Sequence, residues 1–446
     1  MHEKTLVSGL LLMASSAMAA DDRLLIKHGY VMTMNAQNQV YPDADILIED
    51  RRIVAIGEAL PASGAHVIDA RGGYVLPGFV DAHNHLWVTT MRGQFRNAQG
   101  KFFPVSNKLG QKMQPGDIET AMYTGALELL NSGVTTTGDF FDNIQGPAWG
   151  DAGYQALKHA GIRAIMYYGG PDKTTHHPID LTHLRQLAQR QDSLVSLGLA
   201  WRLPRNLNDA QNWQMRDAEL KLARELRLPI QVHVSGDHDA MFNALIEHHI
   251  LASDMAVIHA TDATPRQLEA AQAAGASVVI TPVSEQRVGY GLTRIDHFAA
   301  VQHFGLGLDG NALAGSGDMF ATLRLAALTF SGATRDETLP DPMQLLRSAT
   351  HGGAEALGLQ AITGSLEPGK RADIQIIRPD TLAMSGFGGG DPAALLVYSA
   401  QPENVDTVLV EGRIVKQGGK LSGVDMQQVM QRAQQSAREV VARAVE

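Results

Sequence analysis

Between Gly78 and Asp309 the chain repeats one pattern eight times: a short apolar run, then a stretch with helical periodicity. The runs begin at Gly78, Val134, Arg163, Leu194, Pro229, Met255, Ala276 and Phe304, and are rich in Val, Ile and Ala. The intervening stretches resemble Asp217-Ala-Glu-Leu-Lys-Leu-Ala-Arg-Glu-Leu, whose apolar residues recur at helical spacing. Strands that alternate with helices cannot pair by hairpins. They must lie parallel, and eight such units close into a (β/α)₈ TIM barrel of the α/β class. The flanking segments read differently. Residues 23–76 and 363–420 hold short strands separated by Asp, Gly and Pro, and residues 421–446 hold an amphipathic helix rich in Gln, Arg and Ala. A barrel over 77–362, a small β-sandwich domain beside it and a C-terminal helix packed on the body are therefore expected.

The first 19 residues stand apart. Lys4 precedes the apolar run Leu6–Ala14, and Ala17-Met18-Ala19 fits the small-residue cleavage rule of a secretory signal peptide. The run is too short to span a bilayer. An exported protein of a bacterial periplasm is expected, with no membrane partner. The alternative is a short buried N-terminal helix. With 37 basic against 47 acidic residues the formal net charge is −10, which gives no basic surface for a nucleic-acid backbone. There are no cysteines, so disulfides, thiol nucleophiles and thiolate metal sites are excluded. Any metal site must be made from the 17 histidines and from carboxylates.

Such a site is legible. His83 and His85, in Pro77-Gly-Phe-Val-Asp-Ala-His-Asn-His, stand at i and i+2 at the end of the first barrel strand and share one side of it. His233 ends the fifth predicted strand, His259 the sixth and Asp309 the eighth. In a TIM barrel those ends surround one mouth. Three neutral imidazoles (His83, His85, His233) with an open position suit zinc, with iron as the second choice. Asp309 can ligate as a fourth group and take a proton from a water made acidic by the ion. His259 can hold that water or a developing oxyanion.

With these residues in place, the chain resembles the amidohydrolase superfamily, in its cytosine-deaminase-like and triazine-hydrolase-like branch. The resemblance rests on Pro77–His85, Met91-Arg-Gly, Gly133-Val-Thr-Thr-Thr, Asp318-Met-Phe with Leu323-Arg-Leu-Ala-Ala-Leu, and Thr363-Gly-Ser-Leu-Glu-Pro-Gly-Lys-Arg-Ala-Asp. It implies that the two chain ends form one discontinuous sandwich, and that His83, His85, His233 and Asp309 bind the metal with His259 alongside. It also exposes departures. No lysine stands at Leu199-Ala-Trp-Arg-Leu-Pro, where dinuclear members carry a bridging carbamylated lysine, so one divalent ion is expected. Deaminases of the branch carry a proton-shuttling Glu three residues after the fifth-strand His, and Gly236 stands there instead. Asp237, His238 or Glu285, in Pro282-Val-Ser-Glu-Gln, are the acids at hand to replace it.

Trp87, Arg92 and Phe141 are taken as pocket residues that meet a small-molecule substrate; for Arg92 a structural ion pair is the alternative. The expected activity is hydrolysis of C–N bonds outside peptides, as deamination of a small cyclic, nitrogen-rich compound. An amidase or carbamate-type hydrolase, needing no ring protonation, is the alternative, and a non-catalytic binding protein on the same barrel the second. A homo-oligomer is left open.

Overall fold

In a computed structural model of the chain, eight parallel strands follow one another around a barrel. The structure describes residues 23–95, 100–171, 178–190, 192–234, 238–298 and 301–445; the proposed signal peptide lies outside them. Before the barrel come β1 (Arg23–Met32), β2 (Val40–Glu49), β3 (Arg52–Gly57), β4 (His66–Asp69) and β5 (Tyr74–Pro77). The barrel strands are β6 (Phe79–Asn84), β7 (Val134–Phe141), β8 (Arg163–Tyr168), β9 (Val195–Trp201), β10 (Ile230–Val234), β11 (Met255–His259), β12 (Ser277–Ile280) and β13 (Phe304–Leu306). They pair in sequence order, each with its neighbour and all parallel. After the barrel follow β14 (Ile374–Ile377), β15 (Val405–Val410), β16 (Arg413–Gln417) and β17 (Lys420–Leu421).

The side-chain period of two divides the barrel into two cores. Ile165 and Tyr167 of β8, Ala200 of β9, Ala256 and Ile258 of β11 and Val279 of β12 fill the lumen. Their neighbours Met166, Leu199, Val257 and Val278 face the surrounding helices. Ala354, Ala356 and Leu357, from the helix His351–Ala356 and its end, join the lumen core. One end of the barrel is therefore plugged with apolar atoms, and polar groups are left to gather at the C-terminal ends of the strands.

Closure between the last and first strands is made by loop backbone. The amides of Leu308 and Asp309 both donate to the carbonyl of His83, at 3.1 and 2.9 Å. Asp81 adds a second tie by accepting the Leu308 amide at 2.9 Å. Gly307 is needed for this approach, because a Cβ there would meet the His83 carbonyl oxygen at 2.7 Å and its nitrogen at 2.8 Å. Closing the barrel and placing Asp309 beside His83 are thus one event.

A second sheet is made from both chain ends. Hydrogen bonds join all nine of its strands, in the order β17-β16-β15-β14-β5-β1-β2-β3 with β4 on β1. β1 makes this continuous by pairing with β4 through residues 24–27 and with β5 through residues 30–31. Bulges on either side of Gly29 turn the strand between the two partners. Leu24, Ile26, Ile46, Ile48, Ile374, Ile376 and Leu409 form the apolar core of this sheet. Arg163, at the start of β8, clamps sheet to barrel through a buried ion pair with Asp373 at 2.7 Å.

The last helix, Met426–Val445, buries Val429, Val440 and Ala444. Its Ser436 and Arg443 both bond Asp117, at 2.8 and 2.7 Å, in the first turn of the barrel helix Pro115–Asn131. No helix among the described residues is long and apolar enough to cross a membrane.

Gly307→Ala is expected to lower stability by about 1–3 kcal/mol, as overpacking against backbone does, and to lower retention of a divalent metal ion with it. Thermal melts and elemental analysis of the variant check this; a variant with wild-type melting and metal content contradicts the coupling of closure to the site.

Candidate metal centre

The ends of β6, β10, β11 and β13 bring five donor side chains to the mouth. His83 Nε2 lies 3.2 Å from Asp309 Oδ1 and 3.2 Å from His233 Nε2. His85 Nε2 lies 3.3 Å from both His233 Nε2 and Asp309 Oδ1. His259 also reaches the cluster: donor atoms of His83, His233, His259 and Asp309 all lie within 4.8 Å of one another. His83, His85, His259 and Asp309 are buried, with His233 slightly more open. Imidazole nitrogens at 3.2–3.3 Å can satisfy one another only if protons or a cation lie between them. These four separations, 3.2–3.3 Å, are of the size expected between donors that each lie about 2.0 Å from one shared ion, the zinc–nitrogen distance. The quartet His83, His85, His233 and Asp309 can therefore hold one divalent ion, and His259, whose donor atom lies within 4.8 Å of those of His83, His233 and Asp309, is the alternative to His85 as a donor.

Backbone strain helps aim two of these groups. Continued alternation after Ile258 would turn His259 outward with Met255 and Val257. The strand instead breaks into the left-handed region at His259 (φ 73°) and Ala260 (φ 47°). Asp309 is left-handed as well (φ 59°). Non-glycine residues in this region are uncommon and gather at functional sites.

Three of the imidazoles have their far nitrogen held. Gln231 donates its amide to the Ala82 carbonyl at 2.8 Å, which turns its oxygen toward His83 Nδ1, also at 2.8 Å. His85 Nδ1 donates to Asp142 at 3.0 Å. His259 Nδ1 donates to Glu285 at 3.1 Å. In the neutral ring each contact places the proton on Nδ1 and leaves Nε2 as the atom facing the centre. Gln231 and Asp142 were not among the sequence candidates. Gln231 could have been, because it stands two residues before His233 and so shares its side of β10.

Burial and neighbouring charge set the protonation of the cluster. Burial keeps His83 below the usual histidine range. Burial, with His83, His85 and His259 nearby, holds His233 well below it. For His85 burial opposes charging, but Asp142 and Asp309 outweigh it and push the group up to about 10. Burial likewise opposes ionisation of Asp309, yet His259, His83 and His85 hold it well below the usual carboxylate range.

Four sequence expectations are corrected by placement. Phe141 points out of the barrel, where it would collide with a side chain at Gly153 of the helix Pro147–Ala160. Its neighbour Phe140 faces in and packs edge-on against His83, His85 and His233. Trp87 is buried, and its indole N–H donates to Asp142 at 2.7 Å. Arg92 takes the structural alternative, paired with Glu128 at 2.5 Å and bonded to the Asn311 and Gly315 carbonyls. Glu285 is no spare acid. One oxygen accepts from His259 and the Thr281 amide, the other from Thr293 at 2.5 Å. Gly236 and Asp237 lie outside the described residues, and the His238 side chain is not described. Tyr290, absent from the expectations, brings its ring to 6.0 Å from that of His259.

The amidohydrolase family model matches residues 74–415, which is most of the chain. The chain belongs to the amidohydrolase family. It is a metal-dependent hydrolase acting on C–N bonds, as the family and its deaminase relatives indicate. This amidohydrolase is 29% identical over 420 residues to a 5-methylthioadenosine/S-adenosylhomocysteine deaminase of Thermococcus kodakarensis, covering 88% of the chain and 93% of the relative. A 5'-deoxyadenosine deaminase of Methanobrevibacter smithii is 25% identical, with 94% and 98% covered. Among solved structures, an adenosine deaminase from Xanthomonas campestris with bound zinc matches with a TM-score of 0.82 at 23% identity, covering 94% of this chain and 98% of that one. A zinc complex of atrazine chlorohydrolase from Arthrobacter aurescens also matches with a TM-score of 0.82, at 24% identity and 93% and 100% coverage.

Loading the amidohydrolase with zinc must displace the proton that His85 carries below about pH 10. The raised pKa means the proton is held more tightly, so acid competes with the metal. Zinc affinity is expected to rise about tenfold per pH unit between pH 6 and 8 for each proton displaced, measured by chelator competition. A pH-independent affinity contradicts His85 as a ligand.

Proposed function

We propose that the chain is an exported, zinc-dependent aminohydrolase that removes an exocyclic amino group from a small nitrogen heterocycle, adenine nucleosides being the first class to try. The observation that carries this reading is the convergence of four donor atoms, each 3.2–3.3 Å from two of the others, with a buried Asp309 held well below the usual carboxylate range among them. Zinc rather than iron is supported by the two zinc-containing structural relatives. The substrate class is supported by the names of the adenosine-type relatives. Export rests on Lys4, the apolar run and Ala17-Met18-Ala19.

A divalent ion held by His83, His85, His233 and Asp309 supplies Lewis-acid polarisation and makes a water at the site acidic. The chain's own groups do the proton handling. Asp309 is ionised and can accept the proton of the attacking water. His259 has Nδ1 committed to Glu285, so Nε2 is left to hold that water in line with the amino-bearing carbon. The water oxygen bonds to that carbon as the ring C=N π pair moves onto the ring nitrogen, and the pair returns to the ring as the exocyclic C–N bond breaks. The proton taken by Asp309 is returned to the departing nitrogen, which leaves as ammonia with the carbonyl product behind. No second acid is required, consistent with Gly236 in place of Glu and with Glu285 bound on both oxygens.

Asp309→Asn keeps the shape of the residue but cannot accept a proton, and is expected to lower turnover by about 10²-fold or more. Ammonia release from adenosine, 5'-methylthioadenosine, S-adenosylhomocysteine, pterins, aminotriazines and N-acyl amino acids is the measurement. Near-wild-type turnover in the variant refutes the mechanism. Turnover confined to the N-acyl amino acids replaces deamination with the amidase reading.

A further inference from the structure

We propose that Asp142 is a positioning residue for the metal ligand His85, and that Arg202 holds this carboxylate in place inside the barrel mouth. The proposal rests on the reading of the quartet as a metal site. Asp142 directly follows β7, and its side chain is only 13% exposed. Oδ1 accepts two hydrogen bonds, from His85 Nδ1 at 3.0 Å and from Trp87 Nε1 at 2.7 Å. Oδ2 accepts from Arg202 Nη2 at 2.5 Å. The three donors come from two places in the barrel, the loop after β6 and the first position after β9. The carboxylate therefore ties separate loops at the height of the metal ligands.

Two consequences follow for His85. Donation from Nδ1 fixes the ring's tautomer and plane, so that Nε2 presents a lone pair 3.3 Å from His233 Nε2 and Asp309 Oδ1. A carboxylate partner also makes the imidazole a stronger donor than an amide partner does. His83 gets the same orientation from a neutral amide, that of Gln231. The centre thus has one anionic and one neutral anchor for its adjacent histidines. A buried carboxylate without a cation would be costly. Arg202 answers it as a planar, permanently charged donor. Its guanidinium also sits 6.0 Å over the Phe140 ring, which packs against all three histidines of the quartet. Arg202 thus meets the cluster twice, through charge on Asp142 and through packing on Phe140.

The amide of Asn can still accept from His85 Nδ1, as Gln231 does for His83, whereas Ala cannot. Asp142→Ala is expected to raise the zinc dissociation constant of the full chain about 10–100-fold and to change the visible spectrum of the cobalt-substituted protein. Asp142→Asn should recover most of that loss. Chelator competition with zinc alone, the cobalt spectrum and circular-dichroism melts are the measurements, and none needs a substrate. An Ala variant that is folded, binds zinc as tightly as wild type and shows the wild-type cobalt spectrum overturns the proposal. If the Ala variant does not fold, Asp142→Leu, which fills the same space without an acceptor, takes its place: the same loss of zinc affinity and change of cobalt spectrum is expected, and wild-type affinity with the wild-type spectrum overturns the proposal. A wild-type chain that binds no zinc overturns the metal reading itself and this proposal with it, a result distinct from any effect of Asp142.

Discussion

Polar groups buried in an apolar barrel are tolerated only where something answers their lone pairs and charges. Here that demand converges on one point. Nε2 of His83, His85 and His233 and Oδ1 of Asp309 approach to 3.2–3.3 Å, closer than unprotonated donors would choose without a shared cation. The architecture around them serves this convergence. The plugged far end of the lumen leaves the C-terminal mouth as the place for such groups. The backbone contacts that close the barrel also deliver Asp309 to His83.

Holding the donors together requires a further layer of acceptors. Gln231, Asp142 and Glu285 each take the Nδ1 proton of one histidine. Each is itself bound: Gln231 to the Ala82 carbonyl, Asp142 to Trp87 and Arg202, Glu285 to Thr281 and Thr293. The histidines thus have little rotational freedom, and the site is organised before any ligand arrives. Such preorganisation is what an electrostatic catalyst needs, because no reorganisation is left for the moment of reaction.

The same layer accounts for a chemical oddity of the chain. An amidohydrolase with deaminase relatives has Gly236 where a proton-shuttling Glu is expected. Glu285, one of the three sequence candidates to replace it, is occupied as the anchor of His259. Among the described residues, the carboxylate at the centre is Asp309, held well below the usual carboxylate range by His259, His83 and His85. One carboxylate that takes and returns the same proton is the simplest economy open to this site.

The (β/α)₈ order, the return of strands at both ends of the chain and the set His83, His85, His233, His259 and Asp309 were legible in the sequence. Each is written in local signals: apolar period, turn residues, and a polar residue closing an apolar run. The parallel pairing of eight such runs then forces their ends around one mouth. Pocket roles were not legible, and Phe141, Trp87, Arg92 and Glu285 show why. Whether Phe140 or Phe141 faces the lumen depends on strand register, since one residue of slip exchanges the two faces. Whether Trp87, Arg92 or Glu285 meets a substrate or a neighbouring side chain depends on partners far away in the chain, such as Asp142, Glu128 and His259. Sequence specifies which groups are present at each strand end. Only the closed barrel, by bringing loops after β6, β7 and β9 within hydrogen-bonding distance, decides which of them face the centre and which hold the others in place.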